Sequence, residues 1–146
     1  MKIENAVGKR FVIDASITVK WFHKEVYTQK AESILSGVRK GAFNIYAPEL
    51  LIYEVGNALG KGKKFSEIAI LTALEALFES GLIILPLDLI LSRITVRFMC
   101  RYGVTFYDGL YGALAFSLNV PLITADPKDH KKIKEVEIIE LAKLSV

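Results

Sequence analysis

Phe11-Val12-Ile13-Asp14 and Leu122-Ile123-Thr124-Ala125-Asp126 decide the fold, because each is a short apolar run that stops on an aspartate. The first is a β-strand by its β-branched content, and the second is a strand over Val120–Thr124. Between them the pattern alternates. Ser16 to Phe22 places apolar residues at helical spacing, and Val26 to Lys40 carries the stripe Ala31, Ile34, Leu35 and Val38 before Gly41 stops it. Asn44 to Ala47 is a second strand. Pro48 then suits the first turn of a helix running to Leu59, with Gly60 to Lys64 as a stop and a loop. Ser66 caps a helix that ends near Ser80-Gly81, and Leu82 to Leu85 is a third strand. Leu89 to Arg101 and Thr105 to about Leu118 are helical, and Glu137 to Glu140 is a fifth strand. Strands alternating with helices call for a parallel sheet covered on both faces. Its functional edge is the carboxyl end of the strands, where strand order reverses.

The composition fits one domain over residues 1–146. A chain that is 52% hydrophobic and 24% charged can fill a core, which excludes disorder. The balance of 19 basic against 16 acidic side chains is a net +3, compatible with nucleic acid but not diagnostic of it. Cys100 is the sole cysteine, so a disulfide framework and a cysteine-based zinc site are excluded. The uncharged stretch from Gly109 to Ala125 contains Asn119 and Pro121 and is shorter than the roughly 20 apolar residues a membrane span needs. The expected location is the cytoplasm, with no membrane partner.

Four carboxylates stand where such a fold does chemistry. Asp14 and Asp126 end strands, though each also suits the N-cap of the next helix, Asp126 being followed by Pro127. Asp108 follows Thr105 by three residues, as in a capping box. Glu54 has no such alternative. It lies within Leu50-Leu51-Ile52-Tyr53-Glu54-Val55-Gly56-Asn57-Ala58-Leu59, where an acid must find a partner or change its pKa. If the first and fourth strands are neighbours, all four acids can share a cleft. Carboxylates 4 Å apart repel by about 4 kcal/mol per pair at an effective dielectric near 20, so they call for a hard cation. Oxygen-only ligation suits Mg²⁺ or Mn²⁺. His23 and His130 sit among charged residues and are expected at the surface. Arg93, Arg97 and Arg101 recur on one helix face and are candidate phosphate contacts. Lys61, Lys63 and Lys64, and the lysines from Lys128 to Lys134, are weaker ones.

The motifs Val12-Ile13-Asp14-Ala15-Ser16, Glu54-Val55-Gly56-Asn57-Ala58-Leu59, Thr105-Phe106-Tyr107-Asp108-Gly109-Leu110-Tyr111 and Leu122-Ile123-Thr124-Ala125-Asp126 together resemble the PIN domain family, most closely its VapC-type toxins. The resemblance runs from about Arg10 to Ile139. It implies a three-layer α/β/α sandwich around a parallel five-stranded sheet of order 3-2-1-4-5. It implies Mg²⁺- or Mn²⁺-dependent RNA cleavage by Asp14, Glu54, Asp108 and Asp126, with Ser16, Asn57 and Thr124 in support. It also implies a homodimer and, for a toxin, a cognate antitoxin. Gly109 stands where the family usually has Ala. A processing nuclease without an antitoxin, and a binding module whose acidic cleft holds a partner, are the alternatives. An aspartyl-phosphate phosphatase would want a second Asp at the position of Ser16. The helix from Ser66 to Ser80 carries Ile68, Ile70, Leu71, Leu74, Leu77 and Phe78, a wider arc than one core contact uses, and is expected to meet another chain.

Overall fold

The computed structural model describes residues 9–145. Its five strands are β1 (Arg10–Ile13), β2 (Asn44–Pro48), β3 (Ile83–Leu85), β4 (Leu122–Thr124) and β5 (Ile138–Glu140). They form one sheet in the order β3-β2-β1-β4-β5, with every neighbouring pair parallel. Chain order reverses at β1, whose Val12 pairs with Tyr46 of β2 on one side and Leu122 of β4 on the other. This is the expected order. Phe11, Val12 and Ile13 are all buried, as a central parallel strand requires when both faces are covered.

The helices are α1 (Ala15–Thr18), α2 (Thr28–Arg39), α3 (Leu50–Asn57), α4 (Glu67–Phe78), α5 (Leu89–Tyr102), α6 (Phe106–Leu118) and α7 (Pro127–His130). Helix α6 crosses β1, β2 and β4 and is itself covered by α5. Its residues from Gly109 to Ala115 are all buried, which explains the long uncharged stretch: a helix enclosed on both sides has no polar face. Among the described residues, no helix is long and apolar enough to cross a membrane.

Two of the expected caps are formed, and those at Asp14 and Asp126 are not. Ser66 Oγ accepts from Ala69 N (3.2 Å), and Thr105 Oγ1 accepts from Asp108 N (3.1 Å). Most boundaries differ from the sequence expectation by a residue or two, and two differ in kind. Pro48 stays in β2, in register with Leu85, and the helix starts at Leu50. A proline at a strand's last position loses no ladder donor that the helix start could use better. The segment from Ala58 to Gly62 is not a loop but a π-helical turn, closed by Lys63 N donating to Ala58 O (2.8 Å). Lys63 Nζ pairs with Glu25 (2.8 Å), as does the buried Lys20 (3.0 Å), so these charges hold the turn rather than a ligand.

Candidate active site

The reversal of strand order leaves the carboxyl ends of β1 and β4 side by side, and Asp14 and Asp126 follow them directly. Asp14 occupies the N-cap position of α1, yet its carboxylate makes no cap hydrogen bond. Its oxygens face across the sheet. Oδ1 accepts from the Ser16 hydroxyl, and Oδ2 accepts from Thr124 Oγ1 (2.5 Å) and from Nε2 of His130 (3.0 Å). The two hydroxyls are themselves fixed by the backbone beyond β4. Ala125 N donates to Ser16 Oγ (2.9 Å), and Asp126 N donates to Thr124 Oγ1 (3.0 Å). A capping role therefore does not account for Asp14, which is 5% exposed and spends its lone pairs on side chains from β4 and α7.

Glu54 enters from α3 and Asp108 from the first turn of α6. Tyr111, one turn beyond Asp108, donates from its hydroxyl to Glu54 Oε1 (3.0 Å). Together with Asp126, Asp129, Ser16 and His130 these residues line a cleft of about 120 Å³. Two larger grooves, near 640 and 650 Å³, lie beside Trp21 and Phe22. They lack a converging set of acids, so chemistry and not volume marks the site.

Burial raises the pKa of Glu54 above the ordinary glutamate value, and the nearby Asp14 and Asp108 charges add to it against the Tyr111 hydrogen bond. Asp108 is raised for the same first reason, with Asp129 and Asp14 contributing and His130 opposing. Burial also works against charge on His130. The hydrogen bond to Asp14 and the fields of Asp14, Asp108 and Asp126 outweigh it, and its pKa is raised. Burial and the Glu54 charge push the Tyr111 hydroxyl far up, so it remains a donor.

The structure thus brings Asp14, Glu54, Asp108 and Asp126 to one cleft, with Ser16 lining it and Thr124 behind Asp14. Asn57 is not brought in: it is exposed one turn past Glu54 and does not line the cleft. Arg93 and Arg97 are exposed on α5, whereas Arg101 pairs with Glu135 (2.7 Å). Of the lysines after Asp126, Lys131 pairs with Glu140 and Lys132 with Asp129.

His130 is a correction to the sequence expectation. It is 4% exposed, with Nε2 also 3.9 Å from Asp108 Oδ1, and its ring meets Tyr111 edge to face at 6.0 Å. Its charged neighbours in sequence suggested the surface, but α7 turns His130 inward, to line the same cleft as the exposed Asp126 that precedes the helix. The one-turn spacing from Asp108 to Tyr111 could have marked the tyrosine. His23 is half-buried against Phe65, not fully at the surface.

A family model described as "PIN domain" matches residues 11–136. The chain belongs to the PIN domain family. Ribonuclease VapC1 of Mycobacterium tuberculosis is 38% identical over 101 residues, 65% of this chain and 71% of that protein. PAE2754 of Pyrobaculum aerophilum superposes with a TM-score of 0.62 at 26% identity, covering 91% of this chain and 84% of its own. VapBC2 of Rickettsia felis, solved bound to a DNA fragment from the pair's promoter, gives 0.70 at 18% identity over 90% and 98% of the two chains.

The donor set in this PIN cleft fits a hard cation. It is made of carboxylate oxygens, and two of the acids have pKa values raised first by burial and then by their acidic neighbours. Among the described residues, no three acidic or imidazole groups are already drawn together as a metal-binding cluster.

Proposed function

We propose that this chain is a Mg²⁺- or Mn²⁺-dependent endoribonuclease, the toxin of a type II toxin–antitoxin pair. The observation that carries the reading is the cleft itself, where Asp14, Glu54, Asp108 and Asp126 meet at the strand-order reversal. The family membership and the ribonuclease relative support the choice of RNA. Asp14 and Asp108 are the main metal-holding residues, with Asp126 completing the set. A bound Mg²⁺ supplies charge neutralisation for a phosphodiester and a water of lowered pKa. Glu54, held by Tyr111 and protonated more easily than an ordinary glutamate, orients water and takes up its proton. Arg93 and Arg97 on α5 are the open cationic residues of the arginine stripe and contact RNA phosphates. Arg101 does so only by giving up Glu135.

The test is cleavage of single-stranded RNA against added Mg²⁺ or Mn²⁺. The expected products carry 5′-phosphate and 3′-hydroxyl ends, and chelator abolishes them. Binding in the same assay should weaken with salt. Arg93→Gln with Arg97→Gln should flatten that slope by about 0.7 per lost single-strand contact. No cleavage at any metal concentration, with RNA still bound, would favour the binding-module reading.

The toxin assignment also requires a partner surface. On α4, Ala73 and Leu77 are buried, whereas Ile68 (78% exposed), Leu71 (52%) and Phe78 (64%) remain open. That is part of the arc expected to meet a second copy or an antitoxin. The neighbouring structures that are toxin–antitoxin complexes support such a partner. Sedimentation of the wild type should show a species larger than one chain, alone or with antitoxin. Ile68→Lys with Leu71→Lys and Phe78→Lys should reduce it to a monomer. A wild type that stays monomeric and captures no antitoxin refutes the surface.

A further inference from the structure

We propose that His130 is a positioning residue, which selects the oxygen that Asp14 offers to a cation; this rests on the metal-dependent reading above. A carboxylate has about four lone-pair positions on its two oxygens. Oδ2 of Asp14 already accepts two hydrogen bonds, from Thr124 Oγ1 at 2.5 Å and from His130 Nε2 at 3.0 Å, and is full. Oδ1 accepts only from the Ser16 hydroxyl and keeps one position open. Asp14 would therefore offer a cation a single oxygen. Without the imidazole, Oδ2 would compete for the same ion, and the carboxylate could rotate between one-oxygen and two-oxygen ligation.

The ring is placed for this task by three elements. It comes from α7, stands 3.9 Å from Asp108 Oδ1, and rests edge to face on Tyr111 of α6, which holds Glu54. The ring thus sets the spacing between Asp14 and Asp108 while closing one of Asp14's two oxygens. Core filling does not explain it. His130 Nδ1 is buried with no partner among the described residues, a cost of about 1–3 kcal/mol that a Leu or Phe would avoid. The polar atom worth that cost is Nε2.

The experiment replaces His130 by two side chains of matched length, His130→Gln with an amide donor and His130→Met without one. Mn²⁺ affinity is measured by electron paramagnetic resonance without RNA, alongside metal-free melting. Loss of a hydrogen-bond partner behind a metal ligand typically costs about 10–100-fold in metal affinity. His130→Met should show that loss and His130→Gln should recover most of it, while the two metal-free melting temperatures stay close. Wild-type Mn²⁺ affinity in His130→Met, or equal weakness in both variants, overturns the positioning role and leaves the proposed function standing. A wild type that takes up no Mn²⁺ removes both. Should His130→Met not fold, His130→Leu against His130→Gln is judged in the same way. Loss of the fold in all three variants would make the histidine structural and overturn the inference.

Discussion

Asp14→Asn and Asp108→Asn should each lower RNA cleavage by on the order of a hundredfold or more. Partners behind a metal ligand are worth about 10–100-fold, and a ligand should not matter less. The two variants should part in their metal-free stability. From the sequence alone, neutralising one member of a repelling acidic cluster holds or raises stability. The structure keeps that sign for Asp108, whose half-buried charge is held at a raised pKa by desolvation. It reverses the sign for Asp14, which accepts donors from Ser16, Thr124 and His130. An Asn there must aim its NH₂ at one of those donors, leaving a buried polar group unpaired at a cost of about 1–3 kcal/mol. Asp14→Asn should therefore melt below wild type without metal, and Asp108→Asn at or above it. In both, the stabilisation gained from Mg²⁺ should shrink, because that gain measures binding to the folded state. Melting with and without Mg²⁺, beside cleavage of RNA, checks every part. Full cleavage by either variant would remove that aspartate from the site.

The second large effect is on the fold. Gly37 lies in α2 facing the Phe43 ring, and a Cβ there would fall 2.3 Å from Cζ and 2.4 Å from Cε1. Phe43 cannot retreat easily, because it is 4% exposed and stacks edge to face on Phe11 of the central strand at 5.7 Å. Gly37→Ala gains about 1 kcal/mol of helix propensity and loses about 1–3 kcal/mol to overpacking, so it should destabilise. Gly37→Leu should do so more strongly, by about 3 kcal/mol or more. Gly56→Ala is the control. It sits in α3 with nothing within 4 Å of its added Cβ, and should raise stability. Denaturant unfolding of the three variants tests the contrast. Equal shifts at Gly37 and Gly56 would mean that helix propensity, not the Phe43 contact, governs both positions.

Much of this architecture is legible without coordinates. The strand runs at Phe11, Asn44, Ile83, Leu122 and Ile138, and the caps at Ser66 and Thr105, are local features. They follow from β-branched composition and from oxygens placed three residues before a backbone N–H. The placement of acids after strand ends is local too, and parallel topology turns it into a shared cleft. By itself, therefore, the sequence determined the alternation of elements, the apolar central strand and the four acids that end up together.

Tertiary structure alone decided which polar side chains work beside those acids. Asn57 shares a helix with Glu54 but is left in solvent, and Arg101 is drawn to Glu135 on a different segment. His130, set among lysines and an aspartate, is turned inward to Asp14, 116 residues away. Periodicity reports which face of an element is apolar, and it reports on neighbours within about four residues. It carries nothing about which polar group from a distant element will be packed against a buried carboxylate. That choice is made when the sheet closes and desolvation compels each enclosed charge to find a donor.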